Sequence, residues 1–268
     1  MEQEKYSSIP FRLHAASYGH GQQIILAFHG FGQDRSVYQV FDRIVRFTHK
    51  LHSFDLPFHG KSQTSLFKED INKDALKDFF QEYFKINNIS YFTLIGYSIG
   101  AKFALNLVNF FPEQIERLIL IAPDGLKINF WYRLATGTSV SRSLFHYIVR
   151  HPGIFYKLAD VLTQLKLLHP SVSRFAKSQM ADEKKRLLVY NSWVNFRTLN
   201  LDIKEIGQTI KKFKIPVEIF LGEKDQVINP ESLKPLIKEF SQVQVHMLPA
   251  GHFRLVEDTA AYFEKEGF

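Results

Sequence analysis

Ser98 stands in Gly96-Tyr97-Ser98-Ile99-Gly100, and the chain later supplies Asp225, in Leu221-Gly222-Glu223-Lys224-Asp225, and His252, in Ala250-Gly251-His252-Phe253. A serine hydroxyl is a poor nucleophile near neutral pH unless a base takes its proton, and an imidazole serves as that base when a carboxylate orients it. The order serine, acid, histidine therefore points to nucleophilic acyl chemistry. Glycines two positions to either side of the serine allow a sharp turn from strand to helix that lifts the hydroxyl above the sheet. Two other acids compete for the orienting place: Asp124, in Ile121-Ala122-Pro123-Asp124-Gly125, and Glu223.

A second turn, His29-Gly30-Phe31-Gly32, lets the backbone approach a reacting carbonyl, so that the Phe31 and Ile99 amides together can hold a developing oxyanion. His29 precedes the turn and reads as a hydrogen-bonded structural residue rather than a second base. Asp55-Leu56-Pro57-Phe58-His59-Gly60-Lys61-Ser62 reads as a structural loop, its Pro and Gly fixing the backbone. The chain has no Cys, which excludes a disulfide framework, a thiolate metal site and a cysteine nucleophile. No His and carboxylate spacing suggests a metal site, and no cofactor is implied.

These residues need a scaffold. Ile24–Phe28, Leu51–Asp55, Tyr91–Ile95, Leu118–Ile121, Val217–Leu221 and Val243–Met247 read as strands, most of them apolar on both faces. Helical spacing lies between them, as in Ile71, Ala75, Phe79 and Tyr83, and in the stretch from Ile99 to Phe111 that Pro112 stops. The alternation predicts an α/β fold with a mostly parallel, doubly wound sheet. At 268 residues, with 39 Phe, Tyr and Trp rings, the chain is long enough for one such domain with an insertion and too apolar to be disordered.

Residues 127–200 break the alternation. No buried strand appears there, and aromatic and basic residues recur at helical spacing, as in Phe145, Ile148 and Val149 and in Phe155, Leu158, Leu162 and Leu165. The sequence therefore divides into a core of residues 1–126 and 201–268 and a helical insertion of residues 127–200. Lys and Arg exceed Asp and Glu by seven over the whole chain, and the segment 127–200 holds 12 basic residues against 3 acidic ones. A charge so localised reads first as a solvated helical surface, with anion binding second and nucleic acid disfavoured. Met1 to Ser8 lacks the charge and apolar run of a secretory signal, and no run approaches a membrane span. The expected location is cytoplasmic, without stable membrane insertion; a membrane-surface role for the basic segment is a variant of that reading.

Taken together, His29 to Gly32, Asp55 to Ser62, Gly96 to Gly100, Asp225 and His252 resemble the α/β-hydrolase family in order and spacing over nearly the whole chain. The resemblance implies Ser98 as nucleophile, His252 as general base and then acid, Asp225 as the orienting acid, and Phe31 and Ile99 as oxyanion donors. It also implies that the insertion is the family's helical cap, where substrate choice resides. Trp131 and Arg133 in that segment, and Tyr97 beside the nucleophile, are the candidate substrate contacts. The expected activity is cleavage of a carboxylic ester or thioester, with the small-molecule acyl substrate as partner. The alternatives are carbon–carbon bond hydrolysis or a lyase reaction on an anionic metabolite, and a ligand-binding protein of the same fold without catalysis. Serine rather than aspartate at position 98 argues against a dehalogenase or epoxide hydrolase. Two residues depart from the family pattern: Phe58 and Ala101 each stand where a glycine is common.

Overall fold

The computed structural model describes residues 12–62, 71–124, 130–240 and 242–268. The chain divides into two compact units, one formed by residues 1–127 and 198–268, the other by residues 128–197. Of the boundaries expected at 127 and 200, Lys127 falls outside the described residues.

Among the described residues the first unit is built on seven strands, β1 (Ala15–Tyr18), β2 (Gln23–Phe28), β3 (His49–Phe54), β4 (Phe92–Tyr97), β5 (Ile115–Ile121), β6 (Val217–Gly222) and β7 (Val243–Leu248). Their order across the sheet is β1-β3-β2-β4-β5-β6-β7. Only β1 runs antiparallel, on β3; every other pairing is parallel. The expected mostly parallel sheet is therefore observed, with one strand that was not read. Ala15-Ala16-Ser17-Tyr18 is an edge strand without an apolar run, so only its pairing with Leu51–Phe54 reveals it.

The helices of this unit are α1 (Asp42–Val45), α2 (Lys73–Asn87) and α3 (Gly100–Phe110), followed after the insertion by α9 (Ile203–Phe213), α10 (Pro230–Ile237) and α11 (Leu255–Glu266). Central strands bury both faces because helices cover both. Ile25, Ala27, Ile95, Ile119 and Phe220 pack with Phe41, Val45, Leu255 and Phe263 on one side. Their neighbours in the strands turn the other way, in keeping with the two-residue period of a strand. There Phe28 stacks on Phe54 at 5.5 Å between ring centres, and the edge of Phe80 from α2 meets Phe28 at 5.7 Å. Removing a buried ring of this kind costs about 3–5 kcal/mol. Asn72 caps α2 by accepting from the Ala75 amide, and Asn88 ends the helix in the left-handed conformation.

The second unit contains α4 (Phe130–Thr136), α5 (Ser139–Arg150), α6 (Pro152–Gln164), α7 (Pro170–Gln179) and α8 (Glu183–Phe196). Thr138 and Ser141 form a reciprocal capping box at the start of α5. Phe145 packs its ring against Tyr190 and Trp193, and the Tyr132 hydroxyl donates to the Trp193 carbonyl, tying α4 and α5 to α8.

Candidate active site

Parallel strands deliver their following loops to one end of the sheet, and the site is assembled there. Ser98 follows β4, Asp225 follows β6, His252 follows β7, and the His29 to Phe31 turn follows β2. The turn at Ser98 is sharp: the residue has a φ of 49°. A left-handed backbone at a non-glycine residue is strained and survives only where its surroundings fix it. Here the Ser98 amide donates to the Ile121 carbonyl, and the Ser98 carbonyl accepts from the Asp124 amide, so both sides of the turn are pinned to the end of β5. The flanking glycines are required. A Cβ on Gly100 would lie 2.1 Å from the Phe28 carbonyl oxygen, and one on Gly96 would lie 2.6 Å from the Ala101 Cα. Because Gly100 touches the end of β2, the Ile99 amide and the Phe31 turn share one corner. Among the described residues neither the Phe31 nor the Ile99 N–H has an acceptor.

The His252 Nδ1 lies 2.7 Å from Asp225 Oδ2, and its Nε2 lies 3.2 Å from the Ser98 Oγ. With the Nδ1 proton donated to the carboxylate, Nε2 is left to accept from the hydroxyl. Asp225 is itself fixed, since its Oδ1 accepts from the Val227 and Ile228 amides, each at 2.8 Å. All three side chains are buried. Of the competing acids, Glu223 and Asp124 are both exposed, and it is Asp225 that meets the imidazole. This hydrogen-bonded row can move a proton off a serine hydroxyl and return it to a leaving group.

Tyr97 requires a correction. The sequence suggested a substrate contact, but its ring is 1% exposed and its hydroxyl donates to the His252 carbonyl at 2.7 Å. Its ring also lies tilted against the imidazole, 5.3 Å away between centres, so Tyr97 positions His252. Nothing in the local motif distinguishes this role from that of any apolar residue at the turn. Arg133 is exposed on α4 and has no acidic partner among the described residues, whereas the Trp131 side chain lies outside them.

The loop from Asp55 to Ser62 is a brace. The buried Asp55 carboxylate accepts from the Arg35 amide, the Arg35 guanidinium and the Lys61 amide. His29 donates from Nδ1 to the Gly30 carbonyl and accepts at Nε2 from the Leu56 amide, which uses both ring nitrogens and fixes the neutral form. Burial, reinforced by His59, lowers its pKa to about 3. His59 in turn packs edge-on against Phe31, and burial lowers its pKa to about 4. Phe58, where a glycine is common, nevertheless adopts a φ of 69°, a conformation that costs a bulky residue about 1–2 kcal/mol. The surrounding hydrogen bonds hold it there.

One turn after Ser98, the buried Lys102 was not singled out from the sequence. Burial lowers its pKa to about 8, with the Asp124 carboxylate pulling the other way. A folded pKa below the unfolded value means that this ammonium opposes folding most strongly below pH 8, and that the opposition fades as pH rises toward 10.5. Since Asp124 is exposed, it stays solvated if the lysine is removed. Lys102→Met is expected to stabilise the protein at pH 7 by about 1–3 kcal/mol, raising the melting temperature by roughly 5 °C. Thermal unfolding followed by circular dichroism checks this, and a lower melting temperature refutes it. Among the described residues, no group of three or more His, Asp or Glu is placed to hold a metal ion.

Comparison with known proteins gives this geometry a context. Residues 23–259 match the family described as alpha/beta hydrolase fold. Lipase 3 of Moraxella sp. (strain TA144) is 26% identical over 251 residues, covering 88% of this chain and 74% of that protein. A 2-hydroxy-6-oxononadienedioate/2-hydroxy-6-oxononatrienedioate hydrolase of Comamonas testosteroni is 23% identical over 274 residues, covering 94% and 88%. Among solved structures, a thermophilic esterase from Thermogutta terrifontis superposes with a TM-score of 0.68 at 16% identity, covering 96% of this chain and 93% of that one. With the family matched across nearly its whole length and the parallel sheet in place, this chain belongs to the alpha/beta hydrolase fold family.

Proposed function

We propose that the protein is a serine hydrolase that cleaves a carboxylic ester or thioester through an acyl-enzyme. The observation that carries this reading is the continuous hydrogen-bonded row Ser98, His252, Asp225 beside two amides that lack an acceptor among the described residues. In the first half-reaction the Ser98 Oγ attacks the carbonyl carbon as its proton passes to His252 Nε2. The carbonyl electrons move onto oxygen, which accepts hydrogen bonds from the Phe31 and Ile99 N–H groups. Collapse expels the alkoxide or thiolate, to which His252 returns the proton, and the acyl group stays on Ser98. Water then gives a proton to His252 and attacks the acyl carbon; the acyl–Oγ bond breaks, His252 returns that proton to the Ser98 Oγ, and the acid departs. Asp225 keeps the imidazole in the productive tautomer throughout. Side chains and backbone amides carry every step, and the mechanism calls for no cofactor.

The relatives named as lipases favour an ester. The Comamonas relative, named for a dicarboxylate substrate and matched over 88% of its length, supports a second reading: carbon–carbon bond hydrolysis by the same residues. A panel comparing simple esters and thioesters with dicarboxylate-bearing ketones separates the two.

The direct test is labelling with a fluorophosphonate probe, followed by mass spectrometry of the modified peptide. Modification at Ser98 is expected, with the rate falling at least ~100-fold in His252→Ala, because the imidazole must remove the serine proton. A folded wild-type protein that takes up no probe, or takes it up elsewhere, overturns the proposal in favour of ligand binding without catalysis.

A further inference from the structure

The second unit exposes apolar side chains in a pattern its own packing does not require. On α6, Ile154, Leu158 and Val161, with Leu165 at its C-terminal cap, recur at the spacing of a single helix face, and each is 44–62% exposed. On α5, Val140, Leu144 and Tyr147 form a similar stripe, 77%, 58% and 52% exposed. The two helices follow one another directly, since His151 caps the end of α5 and the start of α6. Nine of the fifteen large hydrophobic residues exposed among the described residues fall in this unit of 70 residues, so the patch is concentrated rather than scattered.

Charge says what such a face can meet. Residues 128–197 carry eleven Lys and Arg against three Asp and Glu, a balance of +8 in a chain whose total is +7. Exposed Arg150, Lys157 and Lys166 flank the stripes. The one acid on α6, Asp160, is paired with Lys177, and Asp182 at the start of α8 is paired with Lys185. A second copy of this chain would set one strongly positive face against another, which disfavours self-association. The stripes are mostly aliphatic, with Tyr147 their one exposed ring, and are flanked by lysines, a residue depleted from protein interfaces. Leu, Ile and Val between basic flanks suit a helix lying in the boundary between lipid headgroups and acyl chains. At 13 residues α6 is too short to cross a bilayer, and no described helix is long and apolar enough to do so.

We propose that the α5 and α6 faces form a docking surface for an anionic lipid bilayer, on which the protein adsorbs without inserting. This is independent of the hydrolytic reading, because its test measures binding alone. The full chain is sedimented with vesicles of equal phosphatidylglycerol and phosphatidylcholine, and with vesicles of phosphatidylcholine only, at low and high salt. Partitioning onto the anionic vesicles is expected to be at least about tenfold stronger and to fall with salt, since each basic residue near such a surface adds roughly fivefold. Leu158→Glu with Leu165→Glu is expected to lower it about tenfold or more, and so is Lys157→Glu with Lys166→Glu. The circular dichroism spectrum and melting temperature, which report an intact fold, stay at the wild-type values in both variants. Equal binding to both vesicle types, unchanged binding by either variant, or no binding overturns the proposal. So does a dimer, seen by sedimentation velocity, that Leu158→Glu with Leu165→Glu disperses, because it would assign the face to a second copy.

Discussion

Alanine at position 98 is expected to lower kcat/KM toward the best ester substrate by about 10⁴- to 10⁶-fold while leaving the circular dichroism spectrum and melting temperature close to wild type. The size of the effect follows from geometry. In the proposed mechanism the Ser98 Oγ is the atom that bonds to the acyl carbon, and its route to a nucleophilic state is the 3.2 Å contact with His252 Nε2. His252→Ala should lose a similar factor, and the double variant scarcely more, because residues that act as one unit do not contribute additively. Asp225→Asn is expected to cost about 10⁴-fold in kcat, since an amide facing Nδ1 favours the wrong imidazole tautomer. Asp124→Asn, altering an exposed side chain away from the imidazole, should keep kcat within a few-fold of wild type. A Ser98→Ala protein retaining a tenth of wild-type activity would remove the serine mechanism, and an inactive Asp124→Asn beside an active Asp225→Asn would reassign the acid.

The second large effect concerns acid. His29, His52 and His59 are all buried, and burial lowers their pKa values to about 3, 4 and 4. In the unfolded chain each takes up a proton near pH 6.5, whereas in the folded protein none does until far lower pH. Between those limits the unfolded state binds more protons, so stability falls as pH falls. Three such groups remove about 4 kcal/mol for each pH unit below 6.5, or roughly 6 kcal/mol by pH 5. That rivals the roughly 5–15 kcal/mol that holds a typical domain together, so cooperative unfolding is expected close to pH 5. Urea denaturation across a pH series measures the slope directly. His52→Gln should flatten it by about a third, because one of three titrating groups is gone. A midpoint that stays constant from pH 6.5 to 4 would show that these imidazoles accept protons within the fold.

The residues whose type alone limits what they can do were legible in the sequence. Glycines at 96 and 100 announce a turn that excludes a Cβ, and the succession of Ser98, Asp225 and His252 maps onto three strand ends because parallel strands all present their following loops on one side. Of the seven strands described, four showed themselves as apolar runs and two as further candidates, while β1 did not, because an edge strand of Ala and Ser carries no hydrophobic signature. Tyr97 was misread since its hydroxyl finds the His252 carbonyl 155 positions away, a contact no local pattern encodes. Lys102 looked like any helix-surface lysine until the packing around α3 buried it. In the insertion, spacing identified α5 and α6 correctly as helices but not their inward faces. Periodicity marks an apolar side without saying what covers it, and the structure buries Val149 and Ala159 while leaving Leu158 and Leu165 open.

The pairing of Leu118 in β5 with Val217 in β6 joins residues 99 positions apart, and 70 of the intervening positions belong to the second unit. Closing a chain loop costs entropy that grows only with the logarithm of its length. Lengthening this loop by the whole second unit therefore adds about 1 kcal/mol to the cost of forming the sheet. Strands that carry Ser98 on one side of the junction and Asp225 and His252 on the other can thus tolerate large changes in what is threaded between them, and the segment can diversify at little thermodynamic expense to the residues it separates.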